Sequence, residues 1–191
     1  MYAVIETGGH QLKVSQGDVI TLEGKDKKVG DELLTSAADE FAKLLVDADP
    51  KVRLRAIRTL GQTGAIGKAR QIAQLLKDSD IEIAKAAAST LVHLSGLGES
   101  LAISDLEKLL SDANSELRSI ACEALGRMGA SKLVPRLSEL LSESDERVRL
   151  SAATGLCHLG KTEGISIILD ASEKGKVPSL ACLNAIREPA T

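Results

Sequence analysis

A pair of apolar residues followed by an acidic turn recurs along the chain. It stands at Leu44-Leu45, Leu75-Leu76, Leu109-Leu110 and Leu140-Leu141, in steps of 31, 34 and 31 residues, and a degenerate fifth copy starts near Ile168-Leu169. A second pattern keeps the same register downstream of each turn. Val52, Ile83, Leu117, Val148 and Val177 are each followed four residues on by Ala56, Ala87, Ala121, Ala152 and Ala181. Four residues further come Leu60, Leu91, Leu125 and Leu156, and less regularly Ala185. Spacings of four and eight fall on one face of a helix. A small residue at the centre of that face lets neighbouring helices approach closely. Self-similarity at this period is the mark of a solenoid.

The turns read as helix starts and the glycines as helix ends. Asp49, Asp80, Asn114 and Asp145 are placed to cap the helix that follows, and Pro50 suits a first helical position. Gly61-Gln62-Thr63-Gly64 and Gly126-Arg127-Met128-Gly129 read as C-terminal ends. Each unit is therefore helix A, acidic turn, helix B and a Gly-rich link. The expected pairs are 36–47/50–61, 66–77/80–94, 102–111/115–128, 133–142/146–159 and 163–173/177–187. The extra residues of the longer step fall in the loop Ser95-Gly96-Leu97-Gly98-Glu99-Ser100.

The stretch from Asp49-Pro50-Lys51-Val52-Arg53 through Ala56 to Leu60-Gly61 resembles the HEAT-repeat pattern D-x-x-V-R-x-x-A with a Leu-Gly ending. It looks closest to the short bacterial type, also seen in phycobilin-lyase-like repeats. The resemblance implies a mainly α fold: a solenoid of about five helix pairs over residues 36–191. Arg118 and Arg149 keep the arginine of the pattern, whereas Ala84 and Pro178 replace it. An arginine ladder running along the repeats would be broken at those two places.

Residues 1–35 follow a different pattern and form a separate expected unit. Tyr2 to Thr7 and His10 to Ser15 read as strands around a Gly8-Gly9 turn, Val19 to Glu23 as a third, and Gly24 to Lys28 as a charged turn, giving a short β-meander. Met1-Tyr2-Ala3-Val4-Ile5, Thr7-Gly8-Gly9, Gln11, Lys13-Val14, Gly17-Asp18-Val19-Ile20 and Val29-Gly30-Asp31-Glu32 resemble the start of the bacterial large-subunit ribosomal protein family L-twenty-one. That resemblance implies association with the ribosomal large subunit and its RNA. His10 and Leu12 depart from the family's usual Lys and aromatic, and the basic RNA-penetrating loop that follows in the family is replaced here by the repeats. About 34 residues of meander do not build a core alone. The segment is expected to cap the first helix pair, where Phe41, Leu44 and Leu45 have no preceding repeat to pack against.

Composition agrees with stacked thin layers. Hydrophobic residues are 43% of the chain and aromatics 1%, with Tyr2 and Phe41 the whole aromatic set. Net charge is −3, and residues 36–191 hold 20 basic and 21 acidic side chains. This is not the basic excess of a nucleic-acid binder. The N-terminus lacks a basic region followed by a long apolar run, and no stretch approaches the ~18 apolar residues of a membrane span. The expectation is a cytoplasmic protein.

Candidate chemistry is sparse. His93 and His158 share a repeat position with Gln62 and Arg127, at the C-terminal end of helix B, where a polar or cationic group complements the dipole. The HEAT-based di-iron hydroxylases use His-Glu pairs, and this chain has none. Cys122 and Cys182 fall in a buried register, and Cys157 and His158, being adjacent, point about 100° apart on a helix. No catalytic, cofactor or metal residue is expected. The expected function is a scaffold or adaptor that binds a protein or peptide partner on the helix B face. Arg55, Arg58, His93, Ile120, Glu123, Arg127, Ser151 and His158 are the expected contacts, among exposed helix B positions that also include Thr154. The alternatives are a ribosome-associated protein and, more remotely, a lyase-like protein that handles a chromophore.

Overall fold

A computed structural model describes residues 38–96 and 102–175 in full, and the backbone of four strands between residues 2 and 28. Among the described residues there are nine helices: α1 (38–43), α2 (Pro50–Gln62), α3 (Ala69–Gln74), α4 (Ile81–Ser95), α5 (Ile103–Leu109), α6 (Ser115–Arg127), α7 (Val134–Glu139), α8 (Glu146–His158) and α9 (Ile165–Glu173). They form four complete A/B pairs and the first helix of a fifth. Residues 177–187, read as the last helix, lie outside the described residues.

The helix A elements are short. α3 and α7 each run from a 3-10 turn into another, Ile66–Lys68 to Leu75–Lys77 and Ser131–Leu133 to Leu140–Ser142. Tightening of the last turn satisfies carbonyls that a simple helix end would leave bare. The Leu-Leu pair of each repeat sits in or beside that turn.

Three of the four acidic turns divide their work between two side chains, and the fourth, at Asp145, keeps the cap alone. Asp49, Asp80, Asn114 and Asp145 each accept the backbone N–H two residues on, at 2.8–2.9 Å, as expected of N-caps. The residue two positions earlier folds the turn: Asp47, Asp78 and Asp112 accept from the N–H of Asp49, Asp80 and Asn114 at 2.8–3.0 Å. Gly64 and Gly129, at φ +65° and +73°, end α2 and α6 in the left-handed conformation that glycine adopts without steric cost.

The main core lies between the A and B helices, and a second, smaller cluster of Ala153, Cys157 and Ile168 seats α9 on α8. Ala56, Ala87, Ala121 and Ala152 are all at 0% exposure, so the four repeats are structurally equivalent at their centre. Beside them lie Leu60, Leu91, Leu125 and Leu156. Cys122 and Cys157 are buried as small apolar side chains.

Two sequence expectations for residues 2–28 change. The strands pair as two separate hairpins, β1 (Tyr2–Thr7) with β2 (His10–Ser15) and β3 (Val19–Leu22) with β4 (Lys25–Lys28), rather than as one meander. Lys25–Lys28, read as part of a charged turn, is a strand: its backbone groups find partners in the antiparallel ladder with Val19–Leu22. The expected cap over the first helix pair depends on side chains outside the described residues.

Candidate functional site

Three seams separate the four B helices, and they are not alike. At the α2–α4 seam a Cβ on Gly61 would lie 2.9 Å from Thr90 Cγ2. At the α6–α8 seam a Cβ on Gly126 would lie 2.4 Å from Gly155 Cα, and one on Gly155 would lie 2.4 Å from the Cys122 carbonyl oxygen. Backbones touch there, and only glycine allows it. In the repeat register, Gly61 and Gly126 correspond to Val92 of α4, and Thr90 and Gly155 to Ala124 of α6. The side chain of Val92 therefore keeps the α4–α6 seam open.

The open seam is a groove of about 260 Å³. Its floor is apolar: Ala88 and Val92 from α4, Ile120 and Ala124 from α6. Lys85, Ser89, Glu123 and Arg127 form the rim. The rim charges are already matched. Lys85 Nζ lies 2.9 Å from Glu82 and 3.0 Å from Glu116, and these hydrogen bonds raise its pKa. Arg127 lies 3.9 Å from Glu123.

Three of the sequence-chosen contacts, Ile120, Glu123 and Arg127, line this groove. His93 is exposed in the same register on α4. Arg55 and Arg58 are exposed on α2 with Lys51 and Gln62, at spacings that make one row. Ser151 is half-buried, and its hydroxyl is engaged with Ser119 Oγ at 2.6 Å. His158 is half-buried. Desolvation and the nearby Arg127 lower its pKa against the opposing pull of Glu123, and its Nε2 has no hydrogen-bond partner among the described residues. Thr154 is buried at 7% exposure, contrary to its reading as a surface position, because Gly155 beside it draws α8 onto α6.

The opposite edge holds the arginine ladder. Arg53 Nε and Nη2 donate to both carboxylate oxygens of Asp78 at 2.9 Å, and Nη1 donates to the Asp47 and Ala48 carbonyls. Arg118 and Arg149 repeat the carbonyl contacts, and Arg118 Nε lies 3.4 Å from Glu143. At Ala84 the ladder is broken as expected. Asp112, the carboxylate an arginine there would meet, faces the exposed Lys77 at 3.3 Å instead.

Burial pushes the Cys122 thiol up to about 12. No group of three or more His, Cys, Asp or Glu side chains is placed to hold a metal among the described residues. No described helix is long and apolar enough to cross a membrane.

Comparison with known proteins finds two relationships. Residues 38–114 and 103–182 match the family described as HEAT repeats, and residues 1–38 match the family described as ribosomal prokaryotic L21 protein. The large ribosomal subunit protein bL21 of Mycolicibacterium smegmatis is 33% identical over 76 residues, covering 30% of this chain and 74% of that protein. Its counterpart in Bifidobacterium longum is 47% identical over 57 residues, covering 29% and 49%. The chain thus spans about half the length of most of the curated relatives it matches. Among solved structures, human deoxyhypusine hydroxylase in complex with glycerol aligns at TM-score 0.60 and 23% identity, covering 79% of this chain and 50% of that one. An engineered protein aligns at TM-score 0.51 and 22% identity, covering 83% and 79%. At these identities the likeness is one of fold.

Proposed function

The chain belongs to the HEAT-repeat family, and from that premise we propose that it is a scaffold whose helix B face docks a protein or peptide partner. The observation that carries this reading is the α4–α6 groove. This seam is held open over an apolar floor, where the α6–α8 seam is closed by backbone contact. The contacts are Ile120, Glu123 and Arg127 in the groove, His93 and His158 beside it, and Arg55 and Arg58 on α2. Ser151 contributes at the margin. No catalytic role is assigned: the hydroxylase likeness is confined to fold, and the three histidines precede Gln11, Leu94 and Leu159, so no His-Glu pair exists.

The test is site-directed photo-crosslinking in the source cell. A crosslinker at the exposed Ser89 on the groove rim should capture a discrete partner, and one at the exposed Arg70 on α3 should not. Equal capture from both positions would remove the helix B face from consideration.

A second reading, association with the ribosomal large subunit, is favoured by the match of residues 1–38. We assign residues 1–35 to a unit distinct from the solenoid of 36–191, placed in the cytoplasm and covering the first helix pair. Support for the cover comes from Leu44, which is 38% exposed, whereas its repeat equivalents Leu75, Leu109 and Leu140 are buried; Val46 is 81% exposed. Co-sedimentation with large subunits at physiological salt, lost on deletion of residues 1–35, would establish the ribosomal reading. Its absence would leave those residues as a cap.

A further inference from the structure

Resting on the docking reading above, we propose that the partner is a protein segment acidic where it crosses α2 and apolar where it enters the α4–α6 groove. The row Lys51, Arg55 and Arg58 on α2 is exposed, and among the described residues none of the three lies within ion-pair distance of a carboxylate. The other exposed lysines and arginines of the B helices are matched: Lys85 by Glu82 and Glu116, Arg127 by Glu123, and Arg147 by Asp145 at 3.6 Å. Like charges three and four residues apart on a helix repel one another. An unmatched exposed row, next to three helices whose exposed lysines and arginines are matched, is therefore a site whose counter-charge comes from outside the described fold.

The groove supplies the second half of the specificity. Its rim charges are already matched, Arg127 by Glu123 and Lys85 by Glu82 and Glu116, and its floor is apolar, so it selects an uncharged side chain. Neighbouring helices pack about 8–10 Å apart. The groove is then on the order of 15 Å from α2, a span of about five extended residues at ~3.3 Å each. One short linear segment reaches both.

The chemistry favours a peptide over RNA. Single-stranded RNA readers stack bases on aromatic side chains, and this chain has only Tyr2 and Phe41. Three phosphate contacts would give only weak, salt-sensitive binding, and the track ends at a neutral apolar groove.

The experiment is fluorescence anisotropy on the full chain, with a short labelled peptide carrying a run of glutamates followed by two leucines. Binding should weaken at least about tenfold in Arg55→Glu/Arg58→Glu, whose fold is verified by circular dichroism. It should also weaken with glutamines in place of the glutamates or serines in place of the leucines. Equal affinity for the charge-reversed chain, or tighter binding of a homopolymeric RNA, would overturn the proposal. If the peptide fails while the crosslinker at Ser89 still captures a partner, the acidic chemistry is wrong and the docking face stands. If that capture fails too, the docking face itself is wrong.

Discussion

The α6–α8 seam and the α4–α6 seam are built from the same repeat, and one is shut where the other is open. In the first, Gly126 and Gly155 bring two backbones together, and Thr154 is buried in the process. In the second, Val92 and Ala124 hold the same positions and line a groove. A single column of the repeat therefore sets whether a seam serves packing or leaves room for a ligand, while the Ala56, Ala87, Ala121 and Ala152 column stays constant. The constancy of the core and the opening of a seam are written in different registers of the same helix.

The harshest way to break this comparison is to put a side chain in the shut seam. Gly126→Val should cost on the order of 3 kcal/mol or more, since its Cβ meets backbone that cannot give way. Val92→Gly in the open seam should cost only about 1–2 kcal/mol, from the helix propensity of glycine and some lost packing. Urea unfolding of the two variants checks the order; equal losses would show that the seams do not differ as described.

The ladder offers a second contrast. Arg53→Ala removes a bidentate partner from a carboxylate only 8% exposed and should cost about 2 kcal/mol, whereas Lys77→Ala, across the gap at Ala84, should cost less than about 0.5 kcal/mol. The Asp78 case carries a pH signature. Burial raises the pKa of its carboxyl, but the hydrogen bonds from Arg53 and the Asp80 N–H outweigh this and hold it below its ordinary 3.8. A depressed folded value means that the contribution is full above 3.8 and fades as the pH falls through the folded value. Acid titration of stability should be flatter below that pH in Arg53→Ala.

Smaller effects sharpen the surface side. Arg55→Ala should change stability by less than about 0.5 kcal/mol. His158 should add a slight dependence near neutrality. Its folded pKa lies below 6.5, so the unfolded chain takes up the proton first, and stability declines as the pH falls through 6.5 toward the folded value. Thermal melts of His158→Gln against the parent between pH 8 and 5 should show that slope disappear.

Much of the frame was legible in the residues. The alanine column, the four caps and the ladder gap at Ala84 follow from local chemistry that the chain repeats, so alignment of the repeats was enough to find them. The groove was not read from sequence, although its signal was present: the Leu-Gly ending at Leu60-Gly61 and Leu125-Gly126 becomes Leu91-Val92. Seeing its meaning needs the contact across the seam, which depends on Ala124 one repeat later. Thr154 misled for the same reason. Its own helix marks it as outward, and the neighbour drawn in by Gly155 covers it. The hairpins differ from the meander because pairing of β3 with β4 is a choice among edges that alternation alone does not rank.

The interruption at Ala84 has a mechanical side. A repeat array holds together through nearest-neighbour couplings, like a row of spins. Where α4 meets α6, both the buried guanidinium and the glycine contact are missing, and exposed lysines bridge instead, Lys77 to Asp112 and Lys85 to Glu116. That is the weakest coupling in the row. The chain should therefore bend at this joint and come apart there first, with α1–α4 and α5–α8 melting as two cooperative blocks. A segment seated across the joint would lock them into one.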